Sequence, residues 1–207
     1  GWQLDCFFIV LTLFNWCALF NTLITSLYLP IFNEVKKNSV REGLIFADVV
    51  MKATGLLLFV MFFLTLRFDD FIIRMLAPGF GQRELLLCKD MTRIIMYALI
   101  FYGISNTAVI TLNALHHYSL PALTDLFEPV VNIMALFMLT PLYGIKGIAI
   151  SCLVSNFLKS SVLLSFLYLK AGWRPTLRFY HPYLPQLLNK SCKMACNSFI
   201  WSVRDII

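Results

Sequence analysis

Apolar residues fill five long stretches of the chain, and the charged residues collect in the shorter segments between them. An α-helix rises about 1.5 Å per residue and needs about 20 apolar residues to cross a bilayer core of about 30 Å. A transmembrane β-strand would need only about 10 residues of alternating polarity, and that pattern is not seen. The stretches predict membrane-spanning helices over 4–32, 43–66, 91–115, 120–142 and 145–169, and the start of a sixth near Leu187.

Composition supports a membrane protein. Of the 207 residues, 59% are hydrophobic and 14% are charged, whereas soluble domains are about 45–50% apolar and about 25% charged. We therefore predict an all-α membrane protein, a polytopic transmembrane helix bundle with five full helices and the start of a sixth. The chain begins with Gly1, and its last segment, 197–207, is still apolar and helical in pattern. We expect residues 1–207 to form one partial transmembrane domain of a longer protein.

The segments between the predicted helices are of two kinds. Lysine and arginine are frequent in 34–42 and in 170–193, whereas 67–84 balances its arginines with acidic residues and 140–144 carries no charge. Basic connections face the cytoplasm, so the first predicted helix enters the membrane from outside. Within the outer segment, 69–83 has the pattern of a short amphipathic helix and turn lying at the membrane interface. The basic residues are Lys36, Lys37, Arg41, Lys170, Arg174, Arg178, Lys190 and Lys193.

Several kinds of chemistry find no support in the sequence. The basic residues are dispersed and form no aromatic-interleaved patch for nucleic acid. Cys192 and Cys196 share a helix face at i,i+4, but no further metal ligands stand at a suitable spacing. His116 and His117 are adjacent, point in different directions and are interpreted as loop residues. No nucleophile stands beside a base at a recognised spacing. We predict no catalytic residues, metal, cofactor or nucleic-acid partner, and hence no enzyme.

The first predicted helix carries a polar stripe. Asp5, Thr12, Asn15, Thr22 and Thr25 recur at spacings of seven and three residues, which places them along one slowly drifting face. Two interpretations are open. The face can form hydrogen bonds to a neighbouring helix, or it can line a water-filled cavity. Asp5 lies at the outer end, where a plain interfacial position would also explain it.

Two sets of charged residues lie within predicted membrane helices. Asp48 and Lys52 are spaced i,i+4 near the cytoplasmic end of the second helix and are interpreted as a structural ion pair. Asp125, Glu128 and Asn132 share one face of the fourth helix, and Lys159 lies near the middle of the fifth. The tight turn between these two helices sets their charged residues at comparable depth.

Glu128 and Lys159 lie equally far from that turn. Each is about fifteen residues away, or about 22 Å along its helix. They should therefore meet about 8 Å from the inner edge of a core of about 30 Å. Their charges can simply hold the helical hairpin together, or they can face a cavity and rearrange when an anionic substrate or a coupling ion arrives. Arg204, beside Asp205 in the sixth helix, should reach a similar depth.

Several short motifs follow one another along the chain. They are DCFF at 5–8, Asn15, LPI at 29–31, LAPGF at 76–80, LNAL at 112–115, YSLPA at 118–122, EPVVNI at 128–133 and YGIKGIA at 143–149. In this order and spacing they resemble the lipid II flippases of the MurJ (MviN) type, within the multidrug, oligosaccharidyl-lipid and polysaccharide exporter superfamily. The resemblance covers nearly the whole chain.

The resemblance implies a transporter of about fourteen helices arranged in two lobes around a cavity. It would deliver an undecaprenyl-pyrophosphate-linked peptidoglycan precursor, lipid II, across the bacterial inner membrane by alternating access. This chain would supply most of the N-terminal lobe, from the second helix to the start of the seventh. The first helix and the C-terminal lobe would lie outside it. The implied partners are the lipid bilayer, the lipid-linked sugar and a coupling ion.

Individual positions carry over unevenly. Asp5 matches the aspartate of the family's D-x-F-F motif, which is important for transport. The family also holds the pyrophosphate with arginines, including a pair that follows the asparagine of the second helix. Here Asn15 is followed by Trp16 and Cys17, with about two residues fewer before Pro30 than in the family. An exporter of another polysaccharide lipid or of a drug, and a non-transporting membrane scaffold, therefore remain as alternatives.

Overall fold

The protein is a bundle of long helices, seen in a computed structural model that describes residues 2–178 and 180–190. Five of its helices are long and apolar enough to cross a membrane, which confirms the predicted fold class. The described residues form no strand. The helices are α1 (Trp2–Asn38), α2 (Val40–Arg67), α3 (Asp69–Leu76), α4 (Gln82–Ala114), α5 (Ser119–Tyr143) and α6 (Lys146–Leu169), followed by a short helix α7 over 184–190.

Helix ends extend beyond the predicted apolar stretches. α4 begins at Gln82, nine residues before the predicted start at 91, and α1 continues to Asn38. The apolar pattern marks where a helix meets lipid, whereas charged residues such as Arg83, Glu84 and Lys89 are themselves good helix formers. The predicted segment between the first two helices shrinks to Ser39, whose side chain caps α2 by accepting a hydrogen bond from Arg41 N at 3.2 Å.

α4 is the central helix of the bundle. It packs against α1, α2 and α6, while α5 packs mainly against α6. At one end, Tyr28, Phe32 and Phe46 form the core between α1 and α2. At the other end, Met91 and Ile95 of α4 pack with residues of α1 and α6. Because α5 lies beyond α6, the described bundle leaves most of the surface of α5 uncovered.

The described parts of the two basic segments, 34–42 and 170–190 without residue 179, lie at the same end of the bundle, as their assignment to one side of the membrane requires. The chain after α6 folds back onto the start of α2, where His181 lies with its ring centroid 5.1 Å from that of Phe46. The opposite end holds α3, which confirms the short helix predicted within 69–83. Ile73 anchors α3 in the core, whereas Phe71 and Met75 on its other side are exposed.

A sharp turn joins α5 and α6. Gly144 ends α5 with a φ of 59°, a conformation that glycine adopts at no steric cost. Three residues later, Gly147 lets the two helices approach backbone to backbone. A Cβ atom at Gly147 would lie 2.8 Å from the carbonyl carbon and oxygen of Leu139 and from the nitrogen of Thr140. The hairpin geometry therefore depends on the absence of a side chain at this position.

We expect Gly147→Ala to lower the free energy of unfolding by about 2 kcal/mol, because the added methyl group meets backbone that must shift. The measurement is thermal or denaturant unfolding of the full-length protein in detergent. Gly55→Ala is the matched control. A Cβ atom at Gly55 meets nothing within 4 Å, and alanine favours an α2 helix by up to about 1 kcal/mol over glycine. Equal behaviour of the two variants would contradict the close approach at Gly147.

Candidate functional site

Three charged side chains meet between α5 and α6. Lys159 Nζ lies 2.7 Å from Glu128 Oε2 and 2.8 Å from Asp125 Oδ1. The predicted contact between Glu128 and Lys159 is confirmed, and Asp125 joins it from one turn earlier on α5. We call Asp125, Glu128 and Lys159 the α5–α6 charge cluster. The turn at Gly144 fixes the register that brings them together.

Burial differs among the three members of this cluster. The side chain of Lys159 is 9% exposed, that of Glu128 26% and that of Asp125 57%. The ammonium is therefore enclosed, while the Asp125 carboxylate reaches the surface of the described bundle. A charge at this depth in a membrane helix is costly unless it is paired or hydrated. The two short contacts to Lys159 supply that pairing.

Asn132 continues the polar face of α5 but does not reach the ammonium. Its Nδ2 atom lies 3.8 Å from Cys152 Sγ of α6. The nearby serines of α6 bond within their own helix: the hydroxyl of Ser155 donates to Cys152 O at 3.1 Å and that of Ser160 donates to Phe157 O at 3.0 Å. The cluster is thus a set of three ion-paired residues, and Asn132, Ser155 and Ser160 make their polar contacts elsewhere.

A groove of about 370 Å³ opens beside the cluster. Glu128 and Lys159 contribute the charged part of its lining, and apolar residues such as Phe127, Val131 and Leu158 contribute most of the rest. A groove of this kind accommodates an apolar chain or water next to the charges. The arrangement offers carboxylates and an ammonium at the edge of an otherwise apolar surface.

The polar stripe of α1 is largely uncovered in the described bundle. Asp5, Asn15 and Thr22 are exposed, Thr12 is half-buried and Thr25 is buried. The threonine hydroxyls donate to carbonyls of α1 itself, to Phe8 O at 2.8 Å, Ala18 O at 3.0 Å and Asn21 O at 3.0 Å. These hydroxyls do not bridge helices, so hydrogen bonding between helices does not explain them.

The predicted site residues fall into two separate groups. Asp5 and Asn15 lie on α1, which packs against α2 and α4, whereas the charge cluster and Asn132 lie on the α5–α6 hairpin. The described bundle does not gather them into one site. Arg204, like Cys192 and Cys196, lies outside the described residues.

The predicted pair of Asp48 and Lys52 is confirmed, with Lys52 Nζ 2.7 Å from Asp48 Oδ2. The same carboxylate oxygen accepts hydrogen bonds from Thr176 N at 3.0 Å and Thr176 Oγ1 at 2.6 Å. Lys52 Nζ also donates to the carbonyl oxygens of Thr176 and Arg178. Asp48 is buried, so this pair fastens the segment after α6 to α2 and has a structural role.

The ion pairs at the other end of the bundle were not predicted from the sequence. Lys89 Nζ lies 2.8 Å from Asp70 Oδ1 and 3.5 Å from Asp69 Oδ1, which ties α3 to α4. Lys146 Nζ lies 2.6 Å from Asp90 Oδ2 and ties α6 to α4. The balance of acidic and basic residues in 67–84 was the available signal. It indicated compensation of charge but not which residues would pair.

Long apolar helices with paired charges between them define a multi-pass membrane protein. The family described as lipid II flippase MurJ matches residues 3–203. The chain belongs to this family, as the sequence motifs predicted. No match was found among curated protein sequences.

Two solved structures share the fold. One is described as lipid II flippase MurJ in an inward closed conformation, with a TM-score of 0.74 and 19% identity over 93% of this chain and 40% of that one. The other is an outward-facing multidrug resistance MATE family transporter of the MOP superfamily, with a TM-score of 0.58 and 17% identity over 91% of this chain and 41% of that one. The chain spans about two fifths of the length of either structure.

Proposed function

We propose that the full-length protein flips a polyprenyl-pyrophosphate-linked glycan across the bacterial inner membrane, and that this substrate is lipid II for peptidoglycan synthesis. Membership of the MurJ family supports a membrane transporter of a lipid-linked substrate. The likeness in fold to a MATE transporter supports alternating access between two lobes. On this proposal the protein is a transporter and not an enzyme.

The observation that carries the proposal is the uncovered polar face of α1. Asn15 lies thirteen residues into the helix that begins at Trp2, or about 20 Å along its axis. Polar groups at this depth are disfavoured against lipid tails. A water-filled cavity on the open side of α1 would hydrate Asp5, Asn15 and Thr22, and a flippase needs such a cavity for the head group of its substrate.

We further propose that this chain is most of the N-terminal lobe, from the second helix to the start of the seventh. The end that carries both basic segments would then face the cytoplasm, because lysine and arginine are retained on that side. The first helix and the C-terminal lobe would complete the cavity opposite α1.

A second candidate is an exporter of another polysaccharide lipid or of a drug. It is favoured by Trp16 and Cys17, which stand where the family's arginine pair would follow Asn15. Trp16 is exposed on α1 and offers an aromatic surface in place of a cation. A non-transporting scaffold is disfavoured, because it gives no reason for a polar face in the middle of a membrane helix.

The test is genetic rescue. We expect the full-length protein to restore growth to cells depleted of their lipid II flippase, and we expect Asp5→Ala to abolish the rescue while the protein is still inserted. Glu34→Ala is the matched control, since Glu34 is an exposed acidic residue near the other end of the same helix. Failure of the inserted wild-type protein to rescue would reject lipid II as the substrate and leave the second candidate.

A further inference from the structure

The α5–α6 charge cluster has an uneven charge count. Two carboxylates lie within 2.8 Å of a single ammonium group. With all three groups ionised, two negative charges and one positive charge leave the cluster with a net charge of −1. The ammonium of Lys159 therefore balances only one of the two carboxylate charges, and the other has no compensating charge within the cluster.

Within residues 2–178 and 180–190, no other charged side chain on the helices packed against the cluster is placed to compensate it. Asp125 and Glu128 are the only charged residues of α5, and Lys146 at the start of α6 is the only other one on that helix. Lys146 is engaged by Asp90. On α4, which packs against α6, residues 94–115 contain no charged residue.

The uncharged titratable groups nearby do not compensate it either. On α4, Tyr97 packs against Phe62 of α2 and Tyr102 against Phe14 of α1, on the sides away from the hairpin. The Cys152 thiol faces Asn132. His117 lies against Phe166. Phe166 follows Lys159 by seven residues, which places it about 10 Å farther along α6.

We propose that the α5–α6 charge cluster is a proton-binding site that holds one proton shared by the carboxylates of Asp125 and Glu128. A net charge at membrane depth is strongly disfavoured. Adding one proton to a carboxylate converts it to a carboxylic acid and makes the cluster neutral, with one carboxylate still paired to Lys159. Asp125 supplies the route for the proton, since its side chain reaches the surface while Glu128 lines the groove.

A proton fits this site better than a metal cation. A metal cation requires several oxygen ligands around it, and both carboxylates already point an oxygen at the Lys159 ammonium at 2.7 and 2.8 Å. The ammonium would repel a second cation placed between them. A proton needs one lone pair, and each carboxylate has others available.

The consequence for transport rests on the proposed function. If the lobe rocks during alternating access, the cluster moves between more and less hydrated surroundings, and only its protonated form is neutral in both. Protonation would then accompany each cycle. The proton itself can be detected without any transport.

Infrared spectroscopy of the full-length protein in lipid nanodiscs tests the site. Free aspartate and glutamate have pKa values of about 4, so a carboxylic-acid C=O band that persists above about pH 6 identifies a carboxyl group that retains its proton. We expect a band equivalent to one carboxyl group in the wild type, its loss in Asp125→Asn and in Glu128→Gln, and its increase in Lys159→Met. Either amide variant leaves one carboxylate and one ammonium, which need no proton.

Asp70→Asn is the matched control. Asp70 also lies 2.8 Å from a lysine that a second aspartate shares, and its side chain is 59% exposed, but its cluster lies at the end of the bundle. We expect this variant to keep the wild-type band. Absence of the band in the wild type, its persistence in both amide variants, or no increase in Lys159→Met would each overturn the proposal. A wild-type protein that shows the carboxylic-acid band but does not flip lipid II would count against the proposed function alone.

Discussion

Replacing Lys159 with methionine is expected to lower the free energy of unfolding by about 3 kcal/mol, the largest effect of any single change in the α5–α6 hairpin. Methionine keeps the length and apolar stem of lysine but removes the ammonium that both carboxylates contact at 2.7 and 2.8 Å. Removing one partner of a buried ion pair leaves an uncompensated charge, and this costs more than the pair contributed. Thermal unfolding in detergent measures the change.

The triple variant Lys159→Met, Asp125→Asn, Glu128→Gln separates loss of charge compensation from loss of packing. With no charge left in the cluster, we expect stability to return to within about 1 kcal/mol of the wild type. Lys89→Met is the matched control, because Lys89 also serves two carboxylates but lies at the bundle end with its side chain 19% exposed. Its loss should be at most about 1 kcal/mol. Additive losses in the triple variant would mean that the three groups are not coupled.

The Glu128–Lys159 contact could be predicted because only local geometry separates the two residues. A tight turn joins two straight helices, so equal distances from Gly144 give equal depth. The same geometry predicted that Asp125 shares the face of Glu128. It could not predict that both carboxylates would reach one ammonium, because that depends on side-chain conformations and on how closely the helices approach at Gly147.

The helix ends were less predictable than the helices. Hydrophobicity reports the part of a helix that meets lipid or core, and it is silent about polar turns that continue into water. The apolar pattern therefore placed Lys89 and Asp90 before the start of a helix, although they lie within the first three turns of α4. The single-residue junction at Ser39 was hidden in the same way, because its flanking residues are polar but helical.

The arrangement of the helices around α4 was beyond prediction from the chain alone. The stripe of Asp5 and Asn15 has a clear period, but nothing in it tells which neighbour covers it. The structure separates that stripe from the α5–α6 charge cluster by placing them on different helix pairs. Charge compensation across the bundle is equally non-local, because a residue's partner can lie anywhere that the packing brings close.

Asp48 shows how far such a partner can lie. Thr176 is 128 residues away along the chain, yet its backbone N–H and its hydroxyl both donate to the same oxygen of Asp48. The sequence showed only the local partner, Lys52. The Asp48 side chain accepts from both Lys52 and Thr176, and so joins the first third of α2 to the segment that follows α6 and leads towards α7.

Asp48→Leu is therefore expected to lower the free energy of unfolding by about 3 kcal/mol and to release the segment 170–183 from α2. The change removes a buried carboxylate and leaves the Thr176 donors and the Lys52 ammonium without it, a loss typical of a broken buried ion pair. Limited trypsin digestion should show faster cleavage after Lys170 and Arg178, which are exposed in this segment.

Two further variants decide whether the carboxylate or the general packing holds the segment. Thr176→Val keeps the backbone N–H donor and removes only the hydroxyl, so we expect a loss of about 1 kcal/mol and a small rise in cleavage. Glu42→Ala removes a half-exposed carboxylate 3.7 Å from His181 Nε2, and an exposed pair of this kind contributes at most about 1 kcal/mol. We expect the loss of stability and the rise in cleavage to be largest for Asp48→Leu, smaller for Thr176→Val and smallest for Glu42→Ala. This order follows from the number of buried hydrogen bonds that each change removes. Equal cleavage in all three variants would show that the segment is held by its apolar contacts instead.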